Sequence, residues 1–370
     1  MQKKLIAAAV AGALFAPAAL ADVTIGGKLE YSWDRFSGNK STVTAGNDGS
    51  DDVTAADHSS RINFSGKEKL GGGMEAGFFV EAQLSAAGAA AGTFARNNYV
   101  FLGGNWGQLR MGRHDTPYKI STGSLDYFSE TRGDYNNIIS TTAANANDYD
   151  LRAAQTVAYI TPNFSGFHAA IARVKAQNPG TGANTGNDDS AWSMLAMYEG
   201  SKAPTKNGFF ATLAYEQHKN TAAATVTTGA NDRAWKLGLG YDFGPGKVGF
   251  VYEDVNQKNA AAAGTSAADR TSWMINGAYT FGNNTVKLAY ARARDSADKS
   301  TATSDGSKMW SIGLDHAMSK RTTVYGMYSS MRNDGNATRK QVAAITEAGV
   351  TGVSAGADPK VWSFGIKHSF

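Results

Sequence analysis

Lys360-Val361-Trp362-Ser363-Phe364-Gly365-Ile366-Lys367-His368-Ser369-Phe370 places Trp362, Phe364, Ile366 and Phe370 on even positions, with Ser363, Gly365, Lys367 and Ser369 between them. Successive side chains of a strand point to opposite faces, so this stretch reads as a strand greasy on one side and hydrophilic on the other. The same pattern recurs upstream. In 232–243, Trp235, Leu237, Leu239, Tyr241 and Phe243 oppose Lys236, Gly238, Gly240 and Asp242; in 270–281, Trp273, Ile275, Tyr279 and Phe281 oppose Ser272, Asn276 and Thr280.

Extended along the chain, the alternation predicts strands over 22–34, 59–69, 74–84, 94–104, 108–115, 153–162, 166–177 and 191–199. It continues over 208–218, 232–243, 247–256, 270–281, 285–295, 308–318, 322–331 and 360–370. Short connections such as Gly71-Gly72-Gly73, Gly244-Pro245-Gly246 and Gly282-Asn283-Asn284 carry the residues that tight turns need. The 200–207 stretch is a further short connection, and the short ones alternate with longer polar loops, among them 35–58, 178–190, 219–231, 257–269 and 332–359. An even number of runs of ~9–11 residues, with short turns at one end and long loops at the other, is the pattern of a closed barrel crossing a bilayer. Lipid supplies no hydrogen bonds, so a sheet inside it must close on itself. The expected fold is all-β: a 16-stranded antiparallel transmembrane β-barrel. Tryptophans sort to the long-loop ends (Trp33, Trp192, Trp235, Trp273, Trp310, Trp362), and other aromatics such as Phe167, Phe209, Tyr241, Phe281 and Phe370 to the short-turn ends. Two such belts match two bilayer interfaces.

Ahead of the strands, Met1–Lys4 is basic, Leu5–Leu20 is apolar and Ala-rich, and Ala19-Leu20-Ala21 fits a cleavage site. Residues 1–21 are therefore expected to be an export leader rather than an anchor, leaving 22–370 as the barrel. Losing Lys3 and Lys4 takes the net charge from +4 to +2, with both signs dispersed and no basic block for nucleic acid. There is no cysteine, so no disulfide contributes. Enzyme motifs are absent, and His58, His114, His168, His218, His316 and His368 show no ligand spacing; no catalytic residue, cofactor or metal is expected.

The connection 116–152 stands apart, because loops beyond ~12–15 residues tend to be functional. It holds Tyr118, Tyr127, Phe128 and Tyr135, and its acids Asp126, Glu130 and Asp134 are spaced four apart, as on one side of a helical turn. This third long loop is expected to fold into the lumen. Opposite it, alternation turns Arg61 away from Ile62 and Phe64, Arg96 and Asn98 away from Tyr99 and Phe101, and Arg110 away from Leu109 and Met111; Arg152 opens the next strand. Val100 and Leu102 share the face of Arg96, which suggests packing against the loop or a neighbouring subunit. Arginines facing carboxylates would set a transverse field that biases passing ions.

The start DVTIGG (22–27), the stretch RNNYVFLGGNWGQLRMGRHDTPY (96–118) and the terminal Phe370 make the chain resemble the general diffusion porins of betaproteobacterial type, similar to neisserial-like trimeric porins. The resemblance implies a homotrimer in outer-membrane lipid and lipopolysaccharide, with the third loop as a constriction and Phe370 read by the barrel-assembly machinery. It implies that Arg61, Arg96 and Arg152 form the basic side of the constriction, and Asp126, Glu130 and Asp134 the acidic side. The expected activity is passive, size-limited diffusion of small hydrophilic solutes and ions with a mild anion preference. A solute-specific channel and a structural or adhesin barrel are the alternatives.

Overall fold

The computed structural model describes residues 22–38, 53–87, 94–140, 149–175, 190–200, 208–219, 231–256, 269–296, 304–342, 346–347 and 353–370. The leader expected over 1–21 lies outside them, as does much of the short connection expected over 200–207 and of the loops expected over 35–58, 178–190, 219–231, 257–269 and 332–359.

The barrel strands are β1 (Asp22–Ser37), β2 (two segments, Val53–Asp57 and Arg61–Gly71), β3 (Met74–Gln83), β4 (Asn98–Gly104), β5 (Gly107–Asp115), β6 (Arg152–Ile160), β7 (Phe167–Lys175) and β8 (Ser190–Glu199). The circuit continues through β9 (Gly208–Lys219), β10 (Asn231–Asp242), β11 (Gly246–Asn256), β12 (Arg270–Phe281), β13 (Asn284–Ala293), β14 (Ser307–Ala317), β15 (Thr322–Asn333) and β16 (Lys360–Ser369). Each pairs antiparallel with the next, and β16 returns to β1 from Lys28↔Ser369 to Ser37↔Lys360, which closes the sheet. The two segments of β2 lie along one strand, β1, with Arg35 opposite Val53 and Lys28 opposite Arg61, and so form a single barrel strand. Thr346–Glu347 adds only a short bridge to the first of them. The expected sixteen strands are present.

The segment Val53–Asp57 lies where a loop was expected; its Val-Thr-Ala-Ala pattern is too short to register as alternation. The turn between β2 and β3 explains three consecutive glycines, since Gly71, Gly72 and Gly73 all adopt positive φ, a region other residues enter at a cost.

Burial is inverted relative to a water-soluble protein. On β1, Leu29 is 45% and Trp33 58% exposed, whereas Glu30 and Ser32 are almost wholly buried. On β16, Trp362, Phe364 and Ile366 are exposed and Val361 and Ser363 buried; on β10, Trp235 and Leu237 are exposed and Ala234 and Lys236 buried. Apolar surface left in water costs ~25 cal/mol per Å², a penalty that vanishes when the outer wall meets hydrocarbon. Exposed Phe167, Phe209, Tyr241, Tyr279, Phe281 and Phe370 ring the short-turn end, and Trp33, Trp192, Trp235, Trp310 and Trp362 the other.

One strand reverses its expected faces. β4 begins at Asn98, so Arg96 precedes it. Val100 is 56% exposed and points outward with its neighbours Met111 and Phe78, while Tyr99 and Phe101 share the inner face with Phe79 and Arg110. Either parity offers apolar residues in this strand, so alternation alone selects no face.

Candidate functional site

The described part of the connection between β5 and β6, residues 116–140 and 149–151, lies against the inner wall. It opens with a short helix, α1 (Pro117–Thr122), whose Thr116 cap accepts from the Lys119 amide and whose proline occupies the first turn, where no amide is needed. Two 3₁₀ turns follow, Gly123–Leu125 and Tyr135–Asn137. Tyr118 donates its amide to Ser193 on β8 at 2.9 Å and its hydroxyl to Glu253 on β11 at 2.8 Å. Glu253 also receives the Ser140 amide at 2.8 Å, and Lys236 on β10 reaches Asp150 at 2.5 Å. Leu125, Tyr135, Ile138 and Ile139 pack on Val251, Met274, Met309 and Met331; Phe128 packs on Tyr325 and Met327. The inner face from β7 to β15 therefore adds small and apolar residues to these polar anchors where the loop covers it. These anchors run from β7 round to β1 and β2.

At the loop's tip a chain of opposite charges crosses four strands. Glu130 meets Lys28 on β1 and Arg61 on β2, the latter at 2.5 Å. Arg61 also faces Glu81 on β3 at 3.5 Å, and Arg96 donates to the same Glu81. Lys28 lies 2.8 Å from Glu30, and Lys367 on β16 lies 3.2 Å from Glu30 while donating to the Glu130 carbonyl at 3.2 Å. Nearby, Arg132 is fully buried against Asp34 at 2.8 Å and stacks over Phe36.

The sequence-predicted residues separate into three groups. Arg61, Arg96 and Glu130 come together in this chain. Arg152, the first residue of β6, pairs instead with Asp115 at 3.0 Å. Arg110 faces inward lower on β5, bonded to His114 at 2.7 Å and lying over the Tyr99 ring. The three acids do not share one side of a helix, because 126–134 forms turns and Glu130 takes a left-handed φ of 58°. Asp126 accepts the amides of Phe128 and Tyr135, and Asp134 those of Glu130 and Asn136. Both are spent on holding the loop's shape. Their environments agree: burial and then the neighbouring Asp134 push the Asp126 carboxyl well up, and burial pushes Asp134 up. Burial would also raise Glu130, but Lys28 and Arg61 override it and hold that carboxyl below the ordinary range.

Residue type and spacing do not single out Lys28, Glu30, Glu81, Arg132 or Lys367. Alternation does place Lys28 and Glu30 on the inner face of β1, and Lys367 on the polar face of β16; which of them the loop would meet is a property of the fold. Among the described residues there is no group of three metal-ligating side chains.

Comparison with known proteins bears on this site. A profile described as "Gram-negative porin" matches residues 7–336. The chain is 31% identical, across the whole of both sequences, to outer membrane porin protein 32 of Delftia acidovorans. It is 29% identical to the major outer membrane protein P.IB of Neisseria gonorrhoeae over 49% of this chain and 50% of the relative. Among solved structures, an anion-selective porin from Comamonas acidovorans superposes with a TM-score of 0.74 at 25% identity, covering 95% of this chain and 100% of that one. Salmonella typhi OmpF, in complex with daunomycin, shares the fold with a TM-score of 0.66 at 14% identity, covering 95% and 98%.

Proposed function

This chain belongs to the Gram-negative porin family of the outer membrane, and on that premise we propose that its barrel passes small hydrophilic solutes and ions by passive, size-limited diffusion with a mild anion preference. The loop 116–152 acts as the constriction. The observation that carries this reading is the charge chain at the loop's tip: among the described residues, Lys28, Arg61, Arg96 and Lys367 pair with Glu30, Glu81 and Glu130. Four cations against three carboxylates leave one positive charge in a narrow passage, where a solute sheds little water and feels the local potential. The anion selectivity attributed to the Comamonas acidovorans protein has the same sign.

In this reading Lys28 and Arg61 form the basic side and Glu130 the acidic side, with Arg96 supporting through Glu81. Arg110 and Arg152 add positive potential along the wall, and Asp126 and Asp134 shape the loop. The barrel acts as a channel rather than a catalyst. A homotrimer is the proposed assembly, supported by β4. Its seven residues (Asn98–Gly104) fall short of the ~9–11 needed to cross a bilayer, and its outer face carries Val100 and Leu102, so a protein surface is its natural cover. Elsewhere the outer wall meets lipid and lipopolysaccharide, residues 1–21 serve as the export leader, and Phe370 at the closure of the sheet is the residue offered to the assembly machinery.

The test is conductance in planar bilayers. An ohmic current with a reversal potential of anion sign in a KCl gradient is expected. A barrel that carries no current, or one that prefers potassium, would overturn the reading.

A further inference from the structure

The inner wall of β3–β5 lies away from the strands that anchor the loop, and it carries aromatic side chains where a water-facing surface would ordinarily be polar. Phe79 and Tyr99 stack with centroids 5.7 Å apart and planes 22° apart. Phe101, on the same face one pleat along, lies across Gly77, whose missing Cβ leaves room for the ring: an added Cβ would stand 2.6 Å from it. All three rings are half-buried, so each keeps a surface open.

Directly across from Phe101 is Arg110, whose guanidinium sits 4.9 Å from the Tyr99 centroid. Its Nε donates to Gln108, and one terminal nitrogen lies 2.7 Å from His114 Nε2. The other ring nitrogen of His114 faces the Asp115 carbonyl, which can only accept, so Nδ1 carries the proton and Nε2 accepts from Arg110. His114 is thus neutral in this arrangement and adds no competing charge. The carboxylates on this part of the wall are engaged elsewhere, Glu75 by Lys67, Glu81 by Arg61 and Arg96, and Asp115 by Arg152 and Lys119. Among the described residues Arg110 has no anionic partner, and its second terminal nitrogen has no hydrogen bond yet is not sealed from solvent.

From this juxtaposition we propose that Arg110, with Phe79, Tyr99 and Phe101, forms a subsite for aromatic carboxylates passing through the lumen. The carboxylate takes the free N–H groups of the guanidinium, the strong charge-assisted geometry for that group, while the ring lies on the aromatic floor in an offset stack. A phosphate would find a single cation and no use for the floor; acetate would leave the floor wet; an aromatic cation would meet the guanidinium's repulsion. The proposal rests on the diffusion reading above, because a solute must reach the lumen to use this wall.

The experiment measures block of KCl current through the reconstituted protein by sodium benzoate, sodium acetate and benzylammonium chloride, each expressed relative to the current of the same channel. For the unaltered protein, benzoate is expected to reach half-block at about one tenth of the acetate concentration, and benzylammonium not to block. Arg110→Gln should raise the benzoate half-blocking concentration about tenfold, and Tyr99→Ser should erase most of the difference between benzoate and acetate. A conducting barrel that responds equally to benzoate and acetate overturns the subsite and leaves the diffusion reading standing, and this comparison needs no variant to fold. Unchanged benzoate block in Arg110→Gln also overturns it. A protein that carries no KCl current at all overturns both.

Discussion

Arg132 donates from Nε to Asp34 at 2.8 Å, and neither side chain touches solvent. The same guanidinium lies over Phe36 and donates to the Gln341 carbonyl at 3.0 Å. One residue thus ties the tip of the long loop to β1 and to the segment leading into β16. Removing one partner of a buried pair leaves the other charge stranded, at a cost of about 3–5 kcal/mol. Arg132→Met is therefore expected to lower the thermal midpoint of the detergent-solubilised barrel and to make its single-channel current noisier. Arg132→Met combined with Asp34→Leu should recover most of the midpoint, because no orphaned carboxylate remains. Circular dichroism melts of the two variants separate the cases; equal midpoints for the single and double variants would count against this account.

Glu130 is the loop acid that meets the basic wall, and its ionisation sets how the pore responds to acid. Burial opposes the charged form, but Lys28 and Arg61 hold the carboxyl below its ordinary value of 4.5. With the folded value depressed, its electrostatic contribution is complete above that pH and is lost only as the pH falls further, through the lowered value. Reversal potential should then stay flat as the pH is lowered from about 7 to about 5. Glu130→Gln should move it toward chloride, by a similar amount at both ends of that range. A wild-type potential drifting to the Glu130→Gln value within that window would contradict the pairing.

Arg61 and Arg96 share Glu81, yet only Arg61 also meets Glu130. Replacing either by alanine should shift the reversal potential toward cations. The shift should be larger for Arg61→Ala, which uncovers two carboxylates rather than one. Arg61→Lys should keep the sign of selectivity while losing the planar fork that spans both acids. A salt-gradient measurement on the three variants checks the order, and a greater effect at Arg96 would reverse the assignment.

The barrel was legible because lipid imposes a simple rule on every strand, and the rule needs only parity. It therefore located β10, β12 and β16 to within a residue or so. Parity failed at β4, where Tyr99, Val100, Phe101 and Leu102 offer apolar groups to both faces. The site was half legible for a different reason. Arg61 and Glu130 carry charge on segments that face each other, so residue type sufficed. Asp126 and Asp134 carry the same charge but satisfy backbone amides of the loop itself, a role visible only once its turns are known. Lys28 and Lys367 acquire meaning because β1 and β16 meet at the closure, a neighbourhood formed by residues some 340 positions apart.

That closure ends on Phe370, which exchanges backbone hydrogen bonds with Gly27 at 3.2 and 3.1 Å while its ring crosses the glycine. A Cβ at position 27 would stand 2.5 Å from both the Arg61 carbonyl oxygen and the Phe370 ring. The ring can swing aside; the carbonyl belongs to the β1–β2 pairing and cannot move without opening the ladder. Gly27→Val is accordingly expected to cost about 1–3 kcal/mol in overpacking, or more where the backbone resists, and to leave the first and last strands poorly joined. Phe370→Ala removes the ring but none of the backbone bonds, so it should refold in detergent nearly as well as the parent. Refolding from urea, followed by the heat-dependent gel mobility of the closed barrel, distinguishes the two. Parent-like refolding of Gly27→Val would mean that the contact with the Arg61 carbonyl is not a constraint on closure.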